Sequence, residues 1–372
     1  MQLFRRAGEI QVPRRDFERP QGIERQVHGC EGEVFPGEDA NYCRWSPAVR
    51  TDIVAAIVQQ RSDEMAVPRR TWMVAAVCGA AAPWIPDAWA GGKKSMGSGA
   101  GAFARAVQEV EASVGGRLGV ALLDMATGRQ DAHRGDERFP LCSTFKLLLA
   151  AHVLRRVDQG HERLDRRISY RKSDLVEYSP ATERHADGDG MTVEQLCEAA
   201  VTLSDNTAAN LLLGTQGGPL ELTAWLRSLG DTQTRLDRME PALNDVPPGE
   251  VRDTTTPRAM ARTVWAVTQG EALSAAARAR MLAWLVGNRT GDRRLRAGMP
   301  EGWRIGEKTG TGPRGTSNDA GLFWPPDRGA VMVSCYLTGS PAPAEQRDAA
   351  IARVGTLAAR WALEGAAPAV RG

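Results

Sequence analysis

A serine and a lysine stand three positions apart at the start of an apolar stretch, in the order Ser143-Thr144-Phe145-Lys146. Residues i and i+3 share one face of a helix, so the lysine amine can reach the serine hydroxyl. The leucines that follow predict a buried helix, and burial lowers the pKa of a lysine because it disfavours the ammonium form. A neutral amine beside a serine is a base beside a nucleophile. Taken alone, the segment is also typical of a serine at a helix start and a lysine that extends to solvent.

Two further segments carry polar groups that suit a substrate-binding cleft. Ser204-Asp205-Asn206 interrupts a helical pattern, so its hydroxyl and amide would serve as a proton relay and a clamp on a substrate amide, or else as a plain connection between helices. Lys308-Thr309-Gly310, followed by Thr311, ends a strand-like run. Glycine there lets a ligand approach the backbone and the lysine adds a positive charge, although an ordinary strand end is the alternative.

Length and composition indicate a protein with a sizeable core, in one large or two ordinary domains. The chain has 372 residues, 42% of them hydrophobic, and its 47 basic and 45 acidic side chains give a formal charge of +2. This balance gives no electrostatic reason to expect nucleic acid or an anionic membrane as a partner. The six cysteines show no C-x-x-C pair and no zinc-type spacing, so we expect no metal and no cofactor.

The order of predicted elements indicates an α/β (α+β) fold. Residues 93–135 contain a helical pattern and then a strand that runs into a turn, residues 136–290 are mostly helical, and residues 291–372 contain three strand-like runs and a final helix from about 344 to 364. This order predicts an antiparallel sheet built from both termini and flanked by helices, with an inserted all-α domain. A cleft is expected where the two parts meet.

The segment before this unit has the order of an export signal. Arg69 and Arg70 precede a largely apolar run that ends in Ala88-Trp89-Ala90, a small-x-small cleavage pattern. The adjacent arginines resemble a twin-arginine leader, which is an address rather than an anchor. A buried helix or a membrane span is the alternative, but the run is short and is interrupted by Pro83 and Pro86.

These signals divide the chain into three segments. Residues 65–90 are predicted to be a signal peptide, and residues 1–64 to be either disordered or upstream of the true start at Met65. Residues 91–372 are predicted to be the catalytic domain, with an α/β part at 93–135 and 291–372 and a helical part at 136–290. The mature protein is expected to be periplasmic and free of the membrane once the leader is removed.

The motifs S-x-x-K, S-D-N and K-T-G, in this order between residues 143 and 310, resemble those of the penicillin-recognising serine enzymes. That superfamily includes the class A β-lactamases and the penicillin-binding transpeptidases. The segment 238–244, "RMEPALN", resembles the R-x-E-P-x-L-N signature of the class A omega loop, and Asp253-Thr254-Thr255 resembles the end of that loop. The resemblance, which covers most of residues 100–366, implies the β-lactamase/transpeptidase-like fold and hydrolysis of penicillins and cephalosporins through an acyl-serine.

The resemblance also implies a role for each site residue. Ser143 would be the nucleophile, with its proton leaving to Lys146 or through a water to Glu240, an alternative that the sequence leaves open. Glu240 would later activate the water that hydrolyses the acyl-enzyme, and Ser204 would pass a proton to the lactam nitrogen. The substrate would be bound by residues from several segments: Asn206, Asn244, Lys308, Thr309, Gly310, Thr311, Tyr178 and Arg294.

Several structural details follow from the same resemblance. An ion pair between Arg238 and Asp253 would join the ends of the omega loop, and the Glu240–Pro241 bond would be cis. Cys142 and Cys197 stand where relatives carry half of a disulfide, but Gly312 and Ala150 occupy the partner positions. We therefore expect buried free thiols in place of both disulfides.

Two other functions fit parts of the same pattern. A cell-wall D,D-peptidase would use the same serine, lysine and K-T-G chemistry but would not need the Glu240 loop. A non-catalytic periplasmic binding protein would keep the cleft without the chemistry. For the β-lactamase, the expected partners are a β-lactam and a catalytic water, and we expect a monomer.

Overall fold

The computed structural model of the chain describes residues 100–364. The predicted extension at 1–64 and the predicted signal peptide at 65–90 lie outside the described residues, as do Cys30, Cys43 and Cys78. None of the helices within the described range is long and apolar enough to cross a membrane.

Eight α-helices and nine β-strands make up the regular structure of residues 100–364. The helices are α1 (Ala100–Val114), α2 (Phe145–Asp158), α3 (Val193–Thr202), α4 (Asn206–Thr215), α5 (Gly218–Ser228), α6 (Pro257–Thr268), α7 (Ala275–Val286) and α8 (Ala344–Glu364). The strands are β1 (Arg117–Asp124), β2 (Arg129–His133), β3 (Phe139–Pro140), β4 (Arg167–Ile168), β5 (Met191–Thr192), β6 (Thr254–Thr255), β7 (Arg304–Gly312), β8 (Thr316–Trp324) and β9 (Val331–Thr338).

The main sheet is antiparallel and takes its strands from both ends of the described chain. Its order is β2-β1-β9-β8-β7, and the register places Val120 opposite Cys335 and Lys308 opposite Ala320. β3 pairs with β6, and β4 with β5, in two small separate ladders. The fold class predicted from the sequence, with helices inserted between the two groups of strands, is therefore confirmed.

Both faces of the sheet are buried, and strand β1 shows why. Side chains alternate across a strand, so Val120 and Leu122 pack with α1 and α8, whereas Ala121 and Leu123 belong to the cluster that contains the helical part. The wholly apolar run from Leu118 to Leu123 is the sequence signature of a strand covered on both sides.

Helix α2 is the central helix of the molecule. Ten consecutive residues, Phe145–Leu154, are buried, and exposure begins only at Arg155. This confirms the buried helix predicted from the leucine run. Because the turn that contains Ser143 leads directly into α2, the position of this helix in the core fixes the position of that serine.

Candidate active site

A cleft of about 770 Å³ lies between the sheet and the helical part. Eight of the twelve predicted site residues line it: Ser143, Tyr178, Ser204, Asn206, Asn244, Arg294, Thr309 and Thr311. The other four, Lys146, Glu240, Lys308 and Gly310, lie behind this lining. The structure therefore brings together six parts of the chain, which are the segments 143–146, 204–206, 240–244 and 308–311 and the single residues Tyr178 and Arg294.

Ser143 lies in a tight turn, Cys142–Thr144, that leads into α2. Cys142 has a φ of +43°, and the turn leaves 9% of Ser143 exposed. The next strand in space, β7, passes very close: a Cβ on Gly310 would lie 3.0 Å from the carbonyl oxygen of Leu141. Gly310 was predicted to let a ligand approach the backbone, and it also allows a close approach between β7 and this turn of the protein.

Lys146 is fully buried and makes four polar contacts. Its Nζ donates to Ser143 Oγ at 3.0 Å, to the Ser204 carbonyl oxygen at 2.8 Å and to Asn206 Oδ1 at 2.5 Å, and it lies 3.0 Å from Glu240 Oε1. Burial lowers the pKa of Lys146 below its ordinary value, while the carboxylate of Glu240 opposes that shift. The neutral amine is thus more accessible than in an exposed lysine, and it stands beside the serine hydroxyl.

Glu240 is 4% exposed and has both carboxylate oxygens engaged. Ser143 Oγ donates to its Oε1 at 3.4 Å, and Asn244 Nδ2 donates to its Oε2 at 2.5 Å. Asn244 Oδ1 is buried and has no partner among the described residues. The carboxylate and this free acceptor lie next to each other near the serine.

The segment that carries Glu240 is fixed at its ends by an ion pair. Arg238 Nε donates to Asp253 Oδ2 at 2.5 Å, and Asp253 Oδ1 accepts main-chain N–H groups from Asp237 at 2.7 Å and Arg238 at 3.0 Å. The Glu240–Pro241 bond is cis. Both details expected from the sequence are confirmed.

Ser204 and Lys308 form a second pair of hydroxyl and amine. Lys308 Nζ donates to Ser204 Oγ at 3.1 Å and to the Thr309 carbonyl oxygen at 2.8 Å. Burial holds the pKa of Lys308 well below its ordinary value, and the nearby Lys146 adds to that shift. Ser204 has a φ of +61°, a strained conformation that aims its carbonyl oxygen at Lys146.

Asn206 is the first residue of α4, and both ends of its amide are already used inside the protein. Its Oδ1 accepts from Lys146, and its Nδ2 donates to the Glu177 carbonyl oxygen at 2.8 Å. The N-cap before it, Asp205, accepts from the main-chain N–H of Ala208 at 2.8 Å. The predicted clamp on a substrate amide therefore also ties the helix start to the loop that carries Tyr178.

The rim of the cleft includes Tyr178, which is 58% exposed and has a φ of +62°. Its main-chain carbonyl accepts from the N–H of Asn206 at 3.0 Å, which fixes the loop against the start of α4. The ring of Tyr178, a residue expected to bind substrate, therefore stands at the mouth of the cleft.

Arg294 lies behind the end of β7 and supports it. Its Nη1 donates to the carbonyl oxygens of Gly310 and Asn318, each at 2.8 Å, and its Nη2 donates to Thr311 Oγ1 at 2.8 Å. Its Nε is paired with Asp348 at 2.8 Å. Arg294, a residue expected to bind substrate, thus holds the hydroxyl of Thr311 in place as well as adding positive charge.

Asn210 is a functional residue that the sequence reasoning missed. Its side chain holds the main chain of Glu240 through two hydrogen bonds, each of 2.9 Å. A signal was available, because Asn210 stands four residues after Asn206 on the same helical face, in an otherwise apolar segment.

The cysteines within residues 100–364 agree with expectation. Cys142, Cys197 and Cys335 are buried and free, and burial raises the pKa of each thiol. A Cβ on Gly312 would lie 2.7 Å from Cys142 Sγ, which is the place where relatives form a disulfide. No group of three or more histidine, cysteine or acidic side chains in this part of the chain is arranged to hold a metal ion.

Comparison with known proteins gives a consistent assignment. The sequence model of the "Beta-lactamase enzyme family" matches residues 102–362. Beta-lactamase L2 of Stenotrophomonas maltophilia is 49% identical over 252 residues, which are 68% of this chain and 83% of that protein.

Two solved structures are similar to this chain in both sequence and fold. An ancestral class A β-lactamase (GNCA) is 62% identical with a TM-score of 0.69, and the match covers 70% of this chain and 99% of that one. PenP of Rhodopseudomonas palustris is 57% identical with a TM-score of 0.69, over 70% of this chain and 99% of the other.

Proposed function

This chain belongs to the class A β-lactamases, hydrolases that open β-lactam antibiotics and so confer resistance. We propose that its acyl-serine mechanism is carried out by four residues: Ser143, Lys146, Ser204 and Glu240. The observation that carries this proposal is the contact of Lys146 Nζ with both Ser143 Oγ and Glu240 Oε1, each at 3.0 Å. Family membership also sets aside the peptidase and the non-catalytic binding protein.

In acylation, Ser143 Oγ attacks the lactam carbonyl while its proton leaves to a base. Two bases contact this oxygen: Lys146 at 3.0 Å, which can accept the proton only in its neutral form, and Glu240 at 3.4 Å, to which the hydroxyl donates. The short contact between the two bases then lets Glu240 stabilise the ammonium that forms. The oxyanion is held by the main-chain N–H groups of Ser143 and Thr311, a device that contributes about 2.7–4 kcal/mol per donor.

The lactam nitrogen receives its proton from Ser204. The hydroxyl of Ser204 accepts from Lys308 at 3.1 Å, and the carbonyl oxygen of the same residue accepts from Lys146. Because Lys308 is the amine that contacts the hydroxyl itself, its ammonium form can return a proton to Ser204 Oγ.

The ring carboxylate binds at the end of β7. Lys308 and the hydroxyls of Thr309 and Thr311 meet there, with Arg294 behind them. The acyl side chain then extends towards Asn206, Tyr178 and Asn244 at the other end of the cleft.

Deacylation depends on a water held by Glu240 and Asn244. Glu240 is ideally placed to take a proton from it, because its carboxylate is buried and within 3.4 Å of the ester oxygen supplied by Ser143. The unpartnered Oδ1 of Asn244 offers this water a hydrogen-bond acceptor.

The assignment of the nucleophile is tested with Ser143→Ala. Wild-type protein should turn over the chromogenic cephalosporin nitrocefin and show a transient penicillin adduct by rapid-quench mass spectrometry. The variant should do neither. Turnover by Ser143→Ala at a rate near that of the wild type would overturn the assignment.

Export is the remaining part of the proposal. The arginine pair and the Ala88-Trp89-Ala90 pattern support a twin-arginine leader at 65–90 that delivers a monomeric enzyme to the periplasm. Peptides from residues 1–64 in the mass spectrum of the precursor would contradict a start at Met65.

A further inference from the structure

One arginine on the rim of the cleft has a guanidinium group that no residue in the described range binds. Arg289 follows α7, its side chain is exposed, and it lines the same cleft as Ser143. Arg294, the other arginine of the lining, already donates to Asp348, Thr311 and main-chain oxygens of the sheet. The positive charge of Arg289, unlike that of Arg294, is therefore not paired with an acidic side chain of the described residues.

The loop that carries Arg289 is firmly held. Its main-chain N–H donates to the Thr202 carbonyl oxygen at 2.9 Å. The next residue, Thr290, donates to Asn288 Oδ1 at 2.8 Å and lies 2.5 Å from Thr309, oxygen to oxygen. The backbone of Arg289 thus has a fixed place beside Thr309, so that only its side chain has to be ordered when it meets a substrate.

Charge is distributed unequally along the cleft. Arg289, Arg294 and Lys308 lie at the Thr309 end. The acidic residues of the lining are Glu177, whose side chain is exposed, and Asp245, which is paired with Arg314 at 3.0 Å. A substrate lying along the cleft is therefore attracted by its negative groups to the Thr309 end.

Two acidic side chains share a second groove with Arg289, outside the cleft. A neighbouring groove between α3 and α7 is lined by Arg289, Glu194 and Glu198. Glu194 forms an ion pair with Arg280, and Glu198 has no ion pair with Arg289 in the structure. Arg289 is thus available to a group in the cleft.

We propose that Arg289 is a specificity-determining residue that favours cephalosporins whose C3 substituent carries a negative charge. The inference rests on the proposed function, because the ring carboxylate at Lys308 and Thr309 places the neighbouring C3 substituent near Arg289. A charge on a flexible, exposed side chain gives a modest effect, about three- to fivefold in kcat/KM.

Three cephalosporins with the same aminothiazolyl-methoxyimino side chain isolate this effect. Ceftriaxone carries an acidic heterocycle at C3, cefotaxime a neutral acetoxymethyl group and cefepime a cationic group. Arg289→Gln should lower the ceftriaxone-to-cefotaxime ratio of kcat/KM about three- to fivefold and raise the cefepime-to-cefotaxime ratio. Arg289→Glu should shift both ratios further in the same directions, and added salt should reduce the shifts.

Arg360→Gln is the matched control, since it removes the same charge from an exposed position on α8. The ceftriaxone-to-cefotaxime and cefepime-to-cefotaxime ratios of kcat/KM in this variant should equal those of the wild type. Equal changes with all three cephalosporins in Arg289→Gln, or the same shift in Arg360→Gln, would overturn the inference. Either result would leave the proposed mechanism intact, because that mechanism depends on whether Ser143→Ala loses turnover.

Discussion

Asn210 holds the main chain of Glu240 from both sides. The Glu240 N–H donates to Asn210 Oδ1 at 2.9 Å, and Asn210 Nδ2 donates to the Glu240 carbonyl oxygen at the same distance. A single side chain on helix α4 therefore fixes the backbone of the residue that we propose as the deacylation base. The carboxylate is then oriented by Asn244, which contacts Oε2, and by Lys146 and Ser143, which contact Oε1.

Asn210→Ala should slow deacylation more than acylation. Loss of both hydrogen bonds frees the Glu240 backbone, and a displacement of about 1 Å at a catalytic group can cost about 10²-fold in rate. Rapid-quench mass spectrometry with a penicillin should show the acyl-enzyme accumulating during turnover. Asn210→Asp keeps the hydrogen-bond acceptor and loses the donor. Its deacylation rate should therefore lie between those of the wild type and Asn210→Ala. A deacylation rate equal to that of the wild type in Asn210→Ala would show that Asn210 does not position Glu240.

The chemistry of the site could be predicted from the sequence because each motif is short. Ser143 and Lys146 need only helical spacing to meet, and their 3.0 Å contact follows from it. Contacts between segments are different: Ser143 and Glu240 are 97 positions apart, and no periodicity relates them. Their proximity was expected only from the resemblance to a known family.

The contacts that support the site were the least predictable. Arg294 was expected to meet substrate, but its hydrogen bonds to Thr311 and to the sheet depend on packing against β7 and β8. Gly310 was expected to let a ligand approach the backbone, and its missing side chain also lets β7 lie against the Ser143 turn, a contact that the sequence did not predict. The hydrogen bonds of Arg294 and the packing at Gly310 both depend on segments that are far apart along the chain coming close together. Local sequence patterns do not predict such contacts.

The Arg238–Asp253 pair should contribute measurably to stability. Asp253 is fully buried, and its φ of +56° is one that asparagine tolerates, so Asp253→Asn removes the charge with little backbone strain. We expect the free energy of unfolding in urea to fall by about 1.5–3 kcal/mol, because a charge-assisted hydrogen bond is lost. Asp165→Asn breaks the exposed pair with Arg163 and should cost less than about 1 kcal/mol. Equal losses in the two variants would contradict this account.

His152 should make the protein less stable in mild acid. Burial, with a smaller effect of Arg156, lowers the pKa of His152 from 6.5 to about 4. Between these values the unfolded chain binds a proton that the folded chain does not, so the free energy of unfolding decreases as pH falls through this window. His152→Phe removes the group and keeps an aromatic ring against Trp225, whose ring lies 5.2 Å from that of His152. The variant should lose less stability than the wild type between pH 7 and pH 5, and parallel pH profiles would contradict the prediction.

The central claim is that Glu240 deprotonates a water, which then hydrolyses the ester formed on Ser143. Glu240→Ala tests this claim most directly. After mixing with a penicillin, intact-protein mass spectrometry of this variant should show one equivalent of penicillin bound to Ser143, persisting long after the wild type has returned to its free mass. Glu240→Ala combined with Ser143→Ala should show no adduct. Multiple turnovers by Glu240→Ala at the wild-type rate, with no lasting adduct, would contradict the mechanism.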